Sequence, residues 1–109
     1  MKDLKISGLN FDIVWKDKKE NFRRIEELLG NTPTDLFVLP EMFTTGFYMN
    51  PEEIADRQNE TLDWMKSFAK KTDTAICGSA SVYENNHFFN RFYFVLPDGS
   101  YDQFFPYEV

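Results

Sequence analysis

Asp35-Leu36-Phe37-Val38-Leu39-Pro40-Glu41-Met42-Phe43-Thr44-Thr45-Gly46-Phe47 is the stretch on which the reading of this chain turns. Leu36 to Leu39 is a continuous apolar run without polar alternation, as expected of a strand covered on both faces in a partly parallel sheet. Pro40 ends it, because proline supplies no N–H to a ladder. Glu41 therefore stands where a buried strand emerges, at the edge where α/β proteins form their crevices and where a general base would be placed. Met42, Phe43 and Phe47 would desolvate it and favour its protonated form. Position alone is equally compatible with a glutamate that caps a loop or pairs with a lysine.

The flanks supply the other elements. Leu4 to Leu9 reads as a first strand, Leu4 and Ile6 alternating with Lys5 and Ser7. From Asp17 the spacing becomes helical: Phe22, Ile25, Leu28 and Leu29 share one face, Asp17 and Glu20 resemble a capping box, and Gly30 with Pro33 supplies a stop. Asn50-Pro51-Glu52-Glu53 is a helix start, and Thr61 to Lys71 predicts an amphipathic helix with Leu62, Met65, Phe68 and Ala69 inward. Thr74 to Val82 and Phe88 to Leu96 predict two strands joined as a hairpin through Glu84-Asn85-Asn86-His87, and Pro97-Asp98-Gly99 predicts a turn. The order indicates an α/β fold whose mixed sheet has some parallel neighbours and at least one antiparallel hairpin. No linker or repeat divides it, so residues 1–109 are read as one unit.

Composition narrows the function classes. The 12 phenylalanines and 42% hydrophobic content argue for a packed interior. Acidic residues exceed basic ones by 18 to 12, a net charge of −6 with the cations scattered, which disfavours nucleic-acid backbones as partners. The apolar runs are too short to span a bilayer, and Lys2 and Lys5 are followed by no signal-peptide core, so a cytoplasmic protein without membrane partners is expected. One cysteine and one histidine predict neither a disulfide nor a zinc site; no metal is expected.

Leu39-Pro40-Glu41 with Phe43 and Gly46-Phe47 resembles the glutamate motif of the nitrilase superfamily of carbon–nitrogen hydrolases. Ile13-Val14-Trp15, Met49-Asn50-Pro51, Glu60 to Met65, Gly78-Ser79, Asn90-Arg91 and Leu96 to Ser100 follow in the family's order and together look like its omega-amidase branch. The resemblance runs from Leu4 to Ser100. It implies the N-terminal portion of an α-β-β-α sandwich, a mixed sheet with helices on one face, whose complete members are much longer. It implies Glu-Lys-Cys thioester chemistry on small dicarboxylic monoamides, without a cofactor, in a homo-oligomer. Glu41 then matches the general base, and Phe43 and Phe47 are expected walls of the substrate pocket.

Two family positions have no counterpart. Where members carry a Tyr-Asp-Lys-Arg-like segment, this chain has Tyr101-Asp102-Gln103-Phe104-Phe105-Pro106-Tyr107; Gln103 is the nearest replacement, or the segment is unrelated. A neutral amide would stabilise an oxyanion far less than a cation. The family's cysteine lies further on, and Cys77 is read as a buried strand residue rather than its substitute. His87 is read as a hairpin-loop residue, Trp15 and Trp64 as core or subunit-contact aromatics, and Asn90-Arg91 either as shaping the glutamate's surroundings or as a strand Asn beside an ion-paired Arg. Two functions follow: a fragment of an omega-amidase-like enzyme, inactive alone, or a non-catalytic small-molecule-binding or interaction module on the same fold.

Overall fold

Each of the three helices begins at a carboxylate or amide side chain that accepts from its first backbone N–H groups. The Asp17 carboxylate accepts a hydrogen bond from the Glu20 backbone N–H at 3.1 Å and opens α1 (Lys18–Leu29). Asn50 does the same for Glu52 at 3.2 Å, with Pro51 opening the short α2 (Pro51–Ile54). The third helix, α3 (Glu60–Thr72), has its second backbone N–H, that of Thr61, bound 3.0 Å from the buried Asp56 carboxylate, and it ends at Asp73 in the left-handed conformation. The computed structural model describes residues 3–108, with side chains described to Phe104.

The strands β1 (Ile6–Gly8), β2 (Leu36–Val38), β3 (Ala75–Glu84), β4 (His87–Val95) and β5 (Tyr101–Glu108) form one sheet in sequence order. The first three are parallel, with Phe37 opposite Ser7 and Ile76, and the last three are antiparallel. Asn85 and Asn86 both take positive φ in the β3–β4 turn, the conformation that a two-residue hairpin of matching twist requires. Sequence reading stopped at the Pro97-Asp98-Gly99 turn and foresaw no strand beyond it. The chain instead reverses there and lays β5 along β4, with Asp98 accepting from the Ser100 N–H at 2.8 Å.

Both long helices cover one face. Ile25 and Leu29 of α1, and Leu62, Met65, Phe68 and Ala69 of α3, enclose Phe37, Leu39, Ile76, Val82, Tyr93 and Val95 in one cluster. Trp64 lies in that layer, stacked between Phe22 at 4.6 Å and Phe68 at 5.1 Å, whereas Trp15 is 60% exposed. Leu28 turns outward at 54% exposure, correcting its place in the predicted inner stripe.

The opposite face is different. The expectation that Leu36 to Leu39 is covered on both sides is corrected: Phe37 and Leu39 are buried, while Val38 is 37% exposed. Leu4 and Ile6, the apolar residues of the first strand's alternation, are likewise exposed, because they alternate onto the side that carries no helix. By register that side also holds Cys77, Ser79 and Ser81 of β3 with their β4 partners Phe94, Phe92 and Asn90.

Candidate active site

Glu41 lies just past β2, after Leu39 and Pro40, in a loop fixed from three directions. The Ser79 hydroxyl accepts from the Met42 N–H at 2.9 Å, and the Ser79 carbonyl accepts from the Phe43 N–H at 3.2 Å. Met42 adopts φ of 55°, a costly left-handed conformation for a side chain of that size, and Gly46 closes the turn at φ of 77° by donating to the Met42 carbonyl at 2.8 Å. From α1, Asn21 donates to the Thr44 carbonyl at 2.7 Å and to the Val14 carbonyl at 2.8 Å, and it accepts from the Val14 N–H at 2.8 Å. Lys16 N–H to Thr45 carbonyl, 3.0 Å, joins the same two loops. Asn21 is completely buried, and its bond to the Thr44 carbonyl satisfies a group shielded from water.

The Glu41 side chain itself is exposed, so the desolvation expected from Met42, Phe43 and Phe47 is not supplied among the described residues. The reason is directional. Met42 and Phe43 are buried beneath the loop, the Phe43 ring packing towards Phe22 and Trp64 in the helix-side core, and Phe47 is 60% exposed. One oxygen of Glu41 is nevertheless held: the Asn90 amide donates to Oε1 at 2.7 Å. Asn90 and Ser81 face each other across β3 and β4, and both are buried. A hollow of about 370 Å³ lies beside the glutamate's strand, lined by Gly8, Leu9, Asn10, Val38, Leu39 and Pro40. A larger one of about 480 Å³ sits against α1, where Arg23 and Arg24 are already engaged by Glu20, Glu27 and the Asp12 carbonyl.

The other singled-out residues fall elsewhere. Gln103 pairs with Tyr93, whose ring is in the helix-side core, so Gln103 belongs to the sheet face opposite the one carrying Asn90 and does not stand in for a cation near Glu41. Cys77 is buried at 6% exposure, and burial pushes its thiol above its ordinary range, the reverse of what an activated nucleophile needs. His87 opens β4 opposite Glu84 and is exposed. Arg91 is buried and paired with Glu84 at 2.6 Å. Among the described residues no group of three or more His, Cys, Asp or Glu could hold a metal ion, and no helix is long and apolar enough to cross a membrane.

Sequence reading passed over Asn21, Ser79's hydroxyl and Asp56. Asn21 left a usable signal, since it falls at i relative to Ile25 and Leu29 on the buried stripe of α1, where a polar residue must find partners. Asp56 left none: it sits in the irregular α2–α3 link, where it bridges to Val82 and pairs with Lys18 at 2.7 Å. Burial pushes its carboxyl up, and Lys18 and Thr61 pull it partly back.

A mixed α/β sheet, helices on one face and a glutamate at the end of its second parallel strand define the front of a carbon–nitrogen hydrolase. The sequence pattern of the Carbon-nitrogen hydrolase family matches residues 5–104, and the chain belongs to that family. It is 41% identical over 101 residues to the omega-amidase YafV of Yersinia enterocolitica and 37% identical to that of Escherichia coli K12, covering 92% of this chain and 40% of each relative. It thus spans well under half the length of the curated relatives it matches. Among solved structures, a CN-hydrolase superfamily protein of Xanthomonas campestris with an arsenic adduct in its active site superposes with a TM-score of 0.89 at 30% identity, covering 96% of this chain and 41% of that one. An N-terminal amidase, 15% identical at a TM-score of 0.80, shares the fold.

Proposed function

We propose that this chain contributes the general-base part of an amidase that hydrolyses the terminal amide of small dicarboxylic monoamides. The observation that carries the reading is Glu41 at the end of β2, with Oε1 held at 2.7 Å by Asn90. In this reaction the Glu41 carboxylate takes the proton of a cysteine thiol. The thiolate attacks the amide carbonyl, a lysine stabilises the oxyanion, and Glu41 returns the proton to the departing nitrogen, so that ammonia leaves and a thioester remains; Glu41 then takes a proton from water, which cleaves the thioester, and gives it back to the released thiolate. The lysine and cysteine implied by the resemblance have no matching positions in residues 1–109, so the 109-residue chain alone is expected to be inactive. The chemistry needs no cofactor.

Phe47 in this reading forms an apolar wall beside the substrate, and Phe43 supports that wall from beneath the loop. The omega-amidase relatives support the substrate class. A cytoplasmic location and assembly of like subunits belong to the same proposal, the latter supported by the exposed apolar face of the sheet. The test is an ammonia-release assay on a chimera in which residues 4–100 replace the matching part of the Yersinia relative, whose own later segments then supply the lysine and the cysteine. The chimera is expected to hydrolyse a dicarboxylic monoamide, and Glu41→Gln is expected to lower kcat by at least about a hundredfold, the scale of general-base contributions. Retained activity in that variant, or turnover by the 109-residue chain alone, would overturn the reading.

A further inference from the structure

We propose that Asn90 is a positioning residue for Glu41, acting as an uncharged clamp on one of its carboxylate oxygens. The inference rests on the reading of Glu41 as the base and adds how that base is aimed. An exposed glutamate on its own samples several rotamers, because nothing around it selects one. Here a selecting contact comes from 49 residues away, from a buried side chain in the middle of β4.

The placement of Asn90 is rigid. Its backbone is paired on both sides, to Ser81 in β3 and to residue 107 in β5. The β4–β5 register then shifts: Phe92 meets Phe104, so two steps along β4 correspond to three along β5. Irregularities of this kind bend a strand and re-aim its side chains, and this one adjoins the residue that reaches Glu41.

The chemistry of the donor matters as much as its position. An ionised carboxylate only accepts hydrogen bonds, so the amide must present its Nδ2, and the bond is charge-assisted. A lysine or arginine in its place would also neutralise the carboxylate and weaken it as a base. An amide orients without neutralising, and it has no titration of its own, so its grip changes only when Glu41 itself takes up a proton.

The test is NMR on the 109-residue chain. The Asn90 side-chain amide resonances are expected to move as Glu41 titrates, and this movement is expected to vanish in Glu41→Gln. Side-chain couplings of Glu41, those of one dominant rotamer in the native chain, are expected to collapse to averaged values in Asn90→Ala and in the near-isosteric Asn90→Asp, while the β3 and β4 backbone resonances stay in place. An Asn90 amide indifferent to pH, or Glu41 couplings unchanged in a folded variant, would overturn the proposal. If both variants unfold, the amide titration with its Glu41→Gln control decides alone. Loss of activity in the Glu41→Gln chimera together with a mobile Glu41 in the native chain would sink the clamp and leave the base intact. A clamped Glu41 in a chimera that survives Glu41→Gln would do the reverse.

Discussion

Cys77 shows how position can disarm a reactive atom. Its strand neighbours pair on both sides, only 6% of its surface is accessible, and burial raises its thiol. Alkylation by iodoacetamide is therefore expected to be slow in the folded chain and to accelerate when urea exposes the strand, as a mass-resolved time course would record. Rapid labelling without denaturant would show the site to be open. One residue further, Gly78 is constrained by volume. A Cβ there would lie 2.8 Å from two atoms of the Phe43 ring and 3.1 Å from the Leu39 Cβ, and that ring is itself wedged against Phe22 and Trp64. Gly78→Ala is expected to destabilise the chain by about 1–3 kcal/mol through overpacking, measured as a shift in the urea midpoint. Because Phe43 supports the loop after β2, the same substitution is expected to disturb the Glu41 backbone resonances.

At the scale of elements, the loop bearing Glu41 is set by a helix as much as by its own strand. Asn21 satisfies three main-chain groups in two loops from the buried side of α1. Asn21→Ala would leave the Val14 N–H and the Thr44 carbonyl without that partner, while the Val14 carbonyl keeps the Asp17 N–H at 3.3 Å; at about 1–3 kcal/mol for each of the two groups, a loss of at least about 2 kcal/mol in urea unfolding is expected, and a neutral outcome would mean that water replaces the amide. The same helix carries a pH-dependent contribution. Hydrogen bonding to Arg23, then Arg24, holds the Glu20 carboxyl down to about 2 from its ordinary 4.5. A depressed carboxyl stabilises the fold above its ordinary value and loses that contribution as pH falls between about 4.5 and about 2. The acid limb of stability is expected to flatten across that window in Glu20→Gln, modestly, since the pair is open to solvent.

Elements with local signals were legible in the sequence: α1 and α2 through Asp17, Asn50 and Pro51, the β3–β4 hairpin through its two asparagines, and Glu41 through its place after an apolar run. Contacts between distant segments were not. No local pattern announces that Asn90 reaches Glu41, that Ser79 ties down Met42, or that β5 pairs with β4, because each depends on the sheet being assembled first. The one-sided cover of β2 has a related cause. An apolar run reports how greasy a strand is on both sides, and it cannot report which side these residues cover.

The whole molecule carries its charge and its grease in different places. Net charge of −6 favours separation of copies, yet the helix-free face presents Leu4, Ile6 and Val38 from the parallel half of the sheet and Phe104 from β5, the last at 55% exposure. Exposed apolar surface of this kind draws association more strongly than dispersed charge opposes it, because charge is screened within about 8 Å at physiological salt and burial is not. The 109-residue chain is therefore expected to associate with rising concentration in sedimentation equilibrium and to enhance the fluorescence of an apolar dye. Phe104→Lys is expected to weaken both effects while leaving the far-ultraviolet circular dichroism unchanged, since a long cation on an exposed strand blocks stacking of faces without costing core packing. Added salt is expected to strengthen association in the native chain by screening the like charges. A strictly monomeric chain with no dye response at any concentration would mean that the face is covered in solution by some part of the molecule itself.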